Sequence, residues 1–449
     1  MSLASVAQLR PRIGDYGRAL VSYHDADLRV CANELHGRED DPSRLLTARS
    51  LLRAGQPADA LDALNAISRS ASLLHNAERE TLRVAAQARL GKPDAMADAI
   101  ATARAYTIGS PSIAQSAEFE YFVGLAGLAT GDLELFEESA YEVLGMQPAA
   151  EDPYVIPLAH TRARAYETLH MINAHGGRFN AKYALAALAE VDASGRPDAW
   201  ISSTSLSTVA GFACDLDLRN LVDDLTSRYH TMKWTDLTRA RRQRVTLALG
   251  WCAALRGEEV AAFKWFRGAA TDVHAPIDKL EVAVDRGRLG IELAPMSSAA
   301  IEELHYAVEI ARTIDWSQLG ERRSVLVSLA IAVARHAPTD ARWALARYRA
   351  LPGSQLSLGS ADPRMAVEIA FAEGRLAICE GREAAAIAHL QEAYCTAEKI
   401  GFRWRAQGAA IELAELRAGD HFATFARLEA IQRPTSWLGY RTAALSKAA

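Results

Sequence analysis

The histidines are the first residues to test for metal or acid–base chemistry. The twelve of them are dispersed, and the closest set is His160, His170 and His175, spaced by ten and five. On one helix His170 and His175 would point about 140° apart, so they would not share an ion. The five cysteines, Cys31, Cys214, Cys252, Cys379 and Cys395, form no CxxC pair and read as reduced, mostly buried thiols. Acidic pairs occur at Asp40–Asp41 and Asp223–Asp224, with Asp215 and Asp217 spaced by two. The sequence contains no GxGxxG, HExxH or GxSxG, and its one Gly-Lys pair, Gly91-Lys92, runs into Pro93 instead of completing a phosphate-binding loop. We therefore expect no catalytic, cofactor-binding or metal site. The enzymatic alternative is an all-α fold with an unrecognised carboxylate pair, whose separation no sequence reveals.

Charge is more unevenly placed than motif chemistry. Between residues 105 and 161 there is no Lys or Arg, against nine acids: Glu118, Glu120, Asp132, Glu134, Glu137, Glu138, Glu142, Glu151 and Asp152. The stretch from Arg228 to Arg244 reverses this, with Arg228, Lys233, Arg239, Arg241, Arg242 and Arg244 against Asp236 alone, and with Tyr229 and Trp234 among them. Further bases sit at Arg162 and Arg164, at Arg322 and Arg323, and at Arg403 and Arg405 around Trp404. Guanidinium groups bind carboxylates and phosphates through two parallel hydrogen bonds. The alternative is a solvated helix face with i to i+4 ion pairs, which contribute little stability.

The elements that would position these groups are helical. Half of the 449 residues are hydrophobic, 88 are Ala, and Arg outnumbers Lys 43 to 7. That apolar content excludes a largely disordered chain. The longest apolar run, near Val325–Ala334, is too short to span a bilayer, and the amino-terminal residues lack a signal-peptide core, so we expect a cytoplasmic protein. The Arg-rich, Ala-rich usage suggests a GC-rich bacterial genome. Turn glycines recur at Gly55, Gly91, Gly131, Gly257, Gly381 and Gly419, separated by 36, 40, 126, 124 and 38 residues. The long gaps are each close to three units, and Gly176-Gly177, Cys214-Asp215, Ala294-Pro295 and Ala337-Pro338 fall near the missing turns. Ile387, Leu390, Tyr394 and Ala397 keep one helical face, as do Ile301, Leu304, Val308 and Ala311. The period predicts about ten two-helix units.

Fixed offsets from the turn glycine sharpen this. Seven residues before it stands Ala48, Gly124, Gly250 or Gly374; five after it Ala60, Ala262 or Ala386; nine after it Leu64, Phe266 or Leu390; twelve after it Ile67, Ala269 or Ala393. Small residues let paired helices approach, and large ones fill the space between hairpins. On these residues the chain resembles the tetratricopeptide (TPR) family, with units longer than the standard one. It is also similar to the TPR-like arms of LuxR-type bacterial activators of the MalT kind, without their ATPase and DNA-binding domains.

The resemblance implies an all-α, right-handed α-solenoid of about ten hairpins. We expect residues 1–42 to form an amino-terminal helical segment, 43–350 the array, 351–364 a flexible loop, 365–434 the last two hairpins and 435–449 a capping helix. First helices of such hairpins line a concave surface. The expected role is a non-catalytic, regulatory scaffold holding an acidic protein or peptide in a groove lined by Arg162, Arg164, Tyr229, Trp234, Arg239, Arg241, Arg242, Arg244, Arg322, Arg323, Arg403, Trp404 and Arg405. RNA or DNA binding is the alternative; the net charge of −5 and the absence of a repeated reader set weigh against it. The acidic and basic stretches of two copies would also suit a homodimer. No cofactor and no membrane partner are expected.

Overall fold

The computed structural model describes residues 14–432 apart from 69–71, 150, 176–180, 196–197, 216–218, 274, 295, 317–321, 323 and 352–362. Among the described residues all regular structure is helical. The expected capping helix at 435–449 and most of the expected loop at 351–364 lie outside them. Pro363 and Arg364, assigned to that loop from sequence, instead open a helix, because Pro suits a first helical turn.

Among the described residues twenty-two α-helices pair in sequence. The hairpins are α1–α2 (Asp15–His24, Leu28–Leu35), α3–α4 (Asp41–Arg53, Pro57–Asn65), α5–α6 (Leu73–Leu90, Pro93–Thr107), α7–α8 (Ile113–Thr130, Leu133–Gly145) and α9–α10 (Leu158–His175, Lys182–Ala193). They continue with α11–α12 (Ala199–Asp215, Val222–Thr231), α13–α14 (Arg239–Leu255, Glu259–Ala269), α15–α16 (Pro276–Leu293, Ser298–Thr313) and α17–α18 (Val325–Val333, Pro338–Ala350). The last are α19–α20 (Pro363–Cys379, Glu383–Ile400) and α21–α22 (Arg403–Glu415, Asp420–Gln432). The first pair lies within residues 15–35, and among the described residues ten hairpins follow it, the number the period predicts.

The small-to-large offsets have a physical basis in the packing. A Cβ built on Gly250 of α13 would stand 2.3 Å from Phe266 of α14, and one on Gly374 of α19 would stand 2.6 Å from Leu390 of α20. Only hydrogen at these positions lets the paired helices close onto a fully buried Phe266 and Leu390. Each such side chain contributes about 1.5–3 kcal/mol through burial. The α15–α16 hairpin uses the same device through Gly287 against Leu304 and Gly290 against Ala300. The approaches at Gly250 and Gly374 are the small-to-large contacts that the fixed offsets from the turn glycine predict. One turn differs from expectation: after α21 the left-handed residue is Arg417 (φ 56°), not Gly419.

The chain divides into two compact units. One comprises residues up to Ile172 with Lys182–Leu206 and Met232–Arg239; the other comprises Asn173–Ala181, Ser207–Thr231 and residues from Ala240 onward. The basic stretch 228–244 is thus shared between them. Each unit has its own apolar core. Leu45, Leu64, Leu82, Phe119 and Phe122 anchor the first. In the second, Phe266, Leu280, Leu329, Phe371 and Leu390 are fully or almost fully buried. No described helix is long and apolar enough to cross a membrane.

Candidate binding site on the first helices of the hairpins

The first helices of the hairpins carry buried charge in both units. In the first unit Arg49 of α3 donates from Nη1 and Nη2 to the two oxygens of Glu118 of α7, each at 2.7 Å, and from Nε to Glu78 of α5 at 2.6 Å. Tyr154 donates to Glu118 at 2.5 Å. Burial pushes the Glu118 carboxyl up, yet Arg49 and the Tyr154 hydroxyl outweigh it and hold the group below its ordinary range. One turn along α3, Arg53 lies 3.7 Å over the Tyr23 ring and donates to Asp198 at 2.7 Å.

Asp198 also caps α11 by accepting from the Ile201 amide, and it contacts His24 Nδ1 at 2.9 Å. His24, His160 and Asp198 bring one ligand atom each within 4.8 Å of one another. Sequence spacing had grouped His160 with His170 and His175 instead. The carboxylate oxygen nearest His24 already receives the Arg53 guanidinium, so the trio reads as a buried ion-pair network around a helix cap. Arg53 supplies the positive charge a bound cation would need to displace.

The second unit holds an aromatic and arginine-rich cluster on α13, α15, α19 and α21. The rings of Trp251 and Trp404 are near-parallel, with centroids 6.2 Å apart. The Arg288 guanidinium carbon lies 5.1 Å from the Trp251 centroid and 5.2 Å from that of Trp404. Phe371 takes Arg375 at 4.7 Å and Arg405 at 4.3 Å. Such contacts orient a cation relative to a ring face.

Acids answer some of these cations. Arg375 donates to Glu292 at 2.7 Å and to Glu412 at 3.0 Å, Arg335 to Glu412 at 2.8 Å, and Arg405 to Glu368 at 2.6 Å. Burial, with the neighbouring positive charge of Arg288 and Arg375, lowers Arg405 to about 10 against the pull of Glu368. Arg288 behaves differently: its Nε and Nη2 are buried without an acceptor among the described residues. Arg405 Nε, Trp404 Nε1 and Gln407 Nε2 share that condition. Asp285, three residues before Arg288, is raised to about 7 by burial, against the opposing pull of Arg288 and the Trp251 indole.

Of the residues expected from sequence, only Trp404 and Arg405 enter this cluster, and both are buried rather than lining an open face. In the first unit Arg164 lies 5.5 Å from the Tyr121 ring and 5.2 Å from that of Trp200. Arg162 pairs with Glu190, Arg322 with Asp278 and Glu281, and Arg403 with Glu398, so these three serve ion pairs between neighbouring elements. Arg239 pairs with Asp236. Tyr229 packs edge-on against Trp265. Trp234, Arg241 and Arg242 are partly buried, Arg244 is exposed, and Arg323 lies outside the described residues. Arg288, Trp251, Asp285, Phe371 and Arg375 are members that sequence reasoning missed.

No protein-family model matches the chain, and a comparison with curated proteins finds no match. Among solved structures, the chain is similar to the Rap protein crystallised with competence and sporulation factor, at 12% identity over 91% of this chain and 99% of that one, with a TM-score of 0.44. It is also similar to a chain of the Cut9–Hcn1 hetero-tetramer of the APC/C, at 14% identity over 88% and 89% of the two chains, with a TM-score of 0.23. Both likenesses are remote, and the hairpin architecture stands on the helices themselves.

Proposed function

We propose that the protein is a non-catalytic, regulatory scaffold that binds an acidic protein or peptide through arginines of its helical hairpins. The observation that carries this reading is the cluster of Arg288, Arg375 and Arg405 with Trp251, Trp404 and Phe371, in which buried donors outnumber the acceptors that meet them. Arginine with tryptophan is the combination that most often concentrates binding energy at protein interfaces. Arg241, Arg242 and Arg244 of α13 would add a positive approach to the same partner, since charge raises encounter rates over distances of about a Debye length.

Affinity purification from the native cell tests the reading. Wild type is compared with an Arg241→Glu, Arg242→Glu, Arg244→Glu variant of equal thermal stability. Loss of an acidic partner in the variant is expected. An identical partner set in both would overturn it.

A further inference from the structure

We propose that the Nε–Nη2 edge of Arg288 is the seat of a carboxylate supplied by the bound partner, with Arg405, Trp404 and Gln407 as its other donors. The inference deepens the reading above and rests on it, because an acidic partner is what would bring the carboxylate.

The argument begins with the shape of the guanidinium. Nε–H and the neighbouring Nη2–H point the same way and match the two oxygens of a carboxylate. The protein uses this edge elsewhere: Arg322 donates from Nε to one oxygen of Glu281 and from Nη2 to the other, both at 2.8 Å. In Arg288 the same two nitrogens are buried and find no acceptor among the described residues, and Arg288 is the one arginine there with two such nitrogens. Its Cζ stands about equally far from the Trp251 and Trp404 ring centroids, so both rings flank the guanidinium on one side.

Further buried donors without an acceptor among the described residues lie on α21. Trp404 Nε1 and Gln407 Nε2 lie one turn apart on α21, on the same helical face. Arg405, whose Nη2 is held by Glu368, has its Nε left over. Arg288, Trp404, Arg405 and Gln407 are each more than nine-tenths buried. A cluster that offers N–H groups and positive charge, with no matching oxygen, is chemically suited to an anion.

Charge accounting agrees. Glu368 answers Arg405, while Glu292 and Glu412 answer Arg375 and Arg335. The acid closest to Arg288 along α15 is Asp285, which binds the Trp251 indole and is raised to about 7 by burial, so it balances Arg288 only in part near neutrality. Trp251 and Asp285 remain partly exposed, and they mark the side from which an acidic side chain would enter.

The test uses the full chain with isotope-labelled arginine, following the side-chain Nε–H resonances by NMR. Three probes are titrated: hexaglutamate blocked at both ends, a penta-alanine with a free carboxyl terminus, and inorganic phosphate. The Arg288 resonance, identified by its loss in Arg288→Lys, should move with hexaglutamate. Arg288→Lys keeps the charge but loses the paired donors, and should weaken hexaglutamate binding by about tenfold or more. Trp404→Phe keeps the ring but removes one donor and should weaken it several-fold; this second variant decides the matter if Arg288→Lys does not fold. Movement with penta-alanine alone would reassign the seat to a chain terminus. Movement with phosphate alone would overturn the carboxylate assignment. A still Arg288 resonance with all three probes, or equal binding by the variants, would overturn the site. If the site fails while the triple-glutamate variant still loses its acidic partner, the partner reading survives. If the Arg288 resonance responds but that variant keeps every partner, the partner reading falls on its own.

Discussion

The indole of Trp251 lies 6.2 Å from that of Trp404 with the planes 19° apart, although three hairpins separate α13 from α21 in the chain. Within this unit the first helices of the α13–α14 and α21–α22 hairpins therefore meet through their aromatic side chains. Trp251, Trp404 and Phe371 surround the arginines of this cluster, and that changes what an arginine there does. An arginine expected to await a ligand in solvent is already stacked and partly paired, so any ligand must fit between fixed donors. Trp404→Ala should cost about 3–5 kcal/mol in unfolding free energy, because it removes a large buried ring. A double-mutant cycle with Trp251→Ala, read by urea unfolding, should show a coupling of about 0.5–1.5 kcal/mol. Additive losses would mean that the two rings are neighbours without interaction.

Two helix-interior glycines should respond in opposite directions to the same change. A Cβ at Gly250 would meet Phe266 at 2.3 Å, while one at Gly408 would meet nothing closer than Phe371 at 3.8 Å. Gly250→Ala should destabilise by about 1–3 kcal/mol through overpacking. Gly408→Ala should stabilise by about 0.5–1 kcal/mol, because the residue loses backbone freedom in the unfolded chain without strain in the folded one. Thermal melts of the two variants beside wild type check both signs.

The Arg49–Glu118 pair sets an acid limit on the first unit. Both side chains are almost fully buried, and Glu118 is held below its ordinary range by Arg49 and Tyr154 despite burial. A carboxyl lowered on folding contributes stability that is present above its unfolded pKa of about 4.3 and is lost as pH falls through the folded value. Glu118→Gln leaves Arg49 with a buried charge that only Glu78 answers, and should cost about 3–5 kcal/mol near neutrality. The gap between variant and wild type should narrow in acid, as wild type loses the same pair. Urea unfolding at neutral pH and at about pH 3.5 measures both. A gap that stays constant would show that the pair carries no pH dependence.

These sites differ in how much of them can be read from residues alone. Gly250 with Phe266 and Gly374 with Leu390 were visible as fixed offsets because a turn glycine marks the register in each hairpin. Gly287 with Leu304 performs the same packing, but the sequence that follows its first helix supplies no turn glycine as a mark. The arginines at 162, 322 and 403 were visible as clusters, while their partners Glu190, Glu281 and Glu398 were not. Which face a long side chain takes depends on the twist between neighbouring helices, and sequence spacing does not encode it. Trp251, Asp285 and Arg288 were hidden for a further reason. Each sits mid-helix with no motif around it, and only the approach of α13 to α21 gives them a shared environment. The one local hint was an acid and two arginines inside the otherwise apolar run Val282–Ile291.

Asp285 gives that environment a measurable pH dependence. Burial raises it to about 7 from an ordinary 3.8, while Arg288 and the Trp251 indole pull it down and Glu281 pushes it further up. The folded protein thus holds a proton that the unfolded chain releases near pH 4, so stability falls as pH rises between those two values and levels off above about 7. The change is at most about 1.4 kcal/mol per pH unit across the window, and less where water reaches the carboxyl. Asp285→Asn removes the titration and keeps the shape. Relative to wild type it should gain stability as pH rises from about 5 to about 8, with little difference near pH 4. Anion binding should follow the same proton: ionised Asp285 competes for Arg288, so hexaglutamate should bind wild type more weakly at about pH 8 than at about pH 6, and bind Asp285→Asn equally at both. Parallel pH profiles for the two proteins, in unfolding and in binding alike, would remove Asp285 from any role in the site.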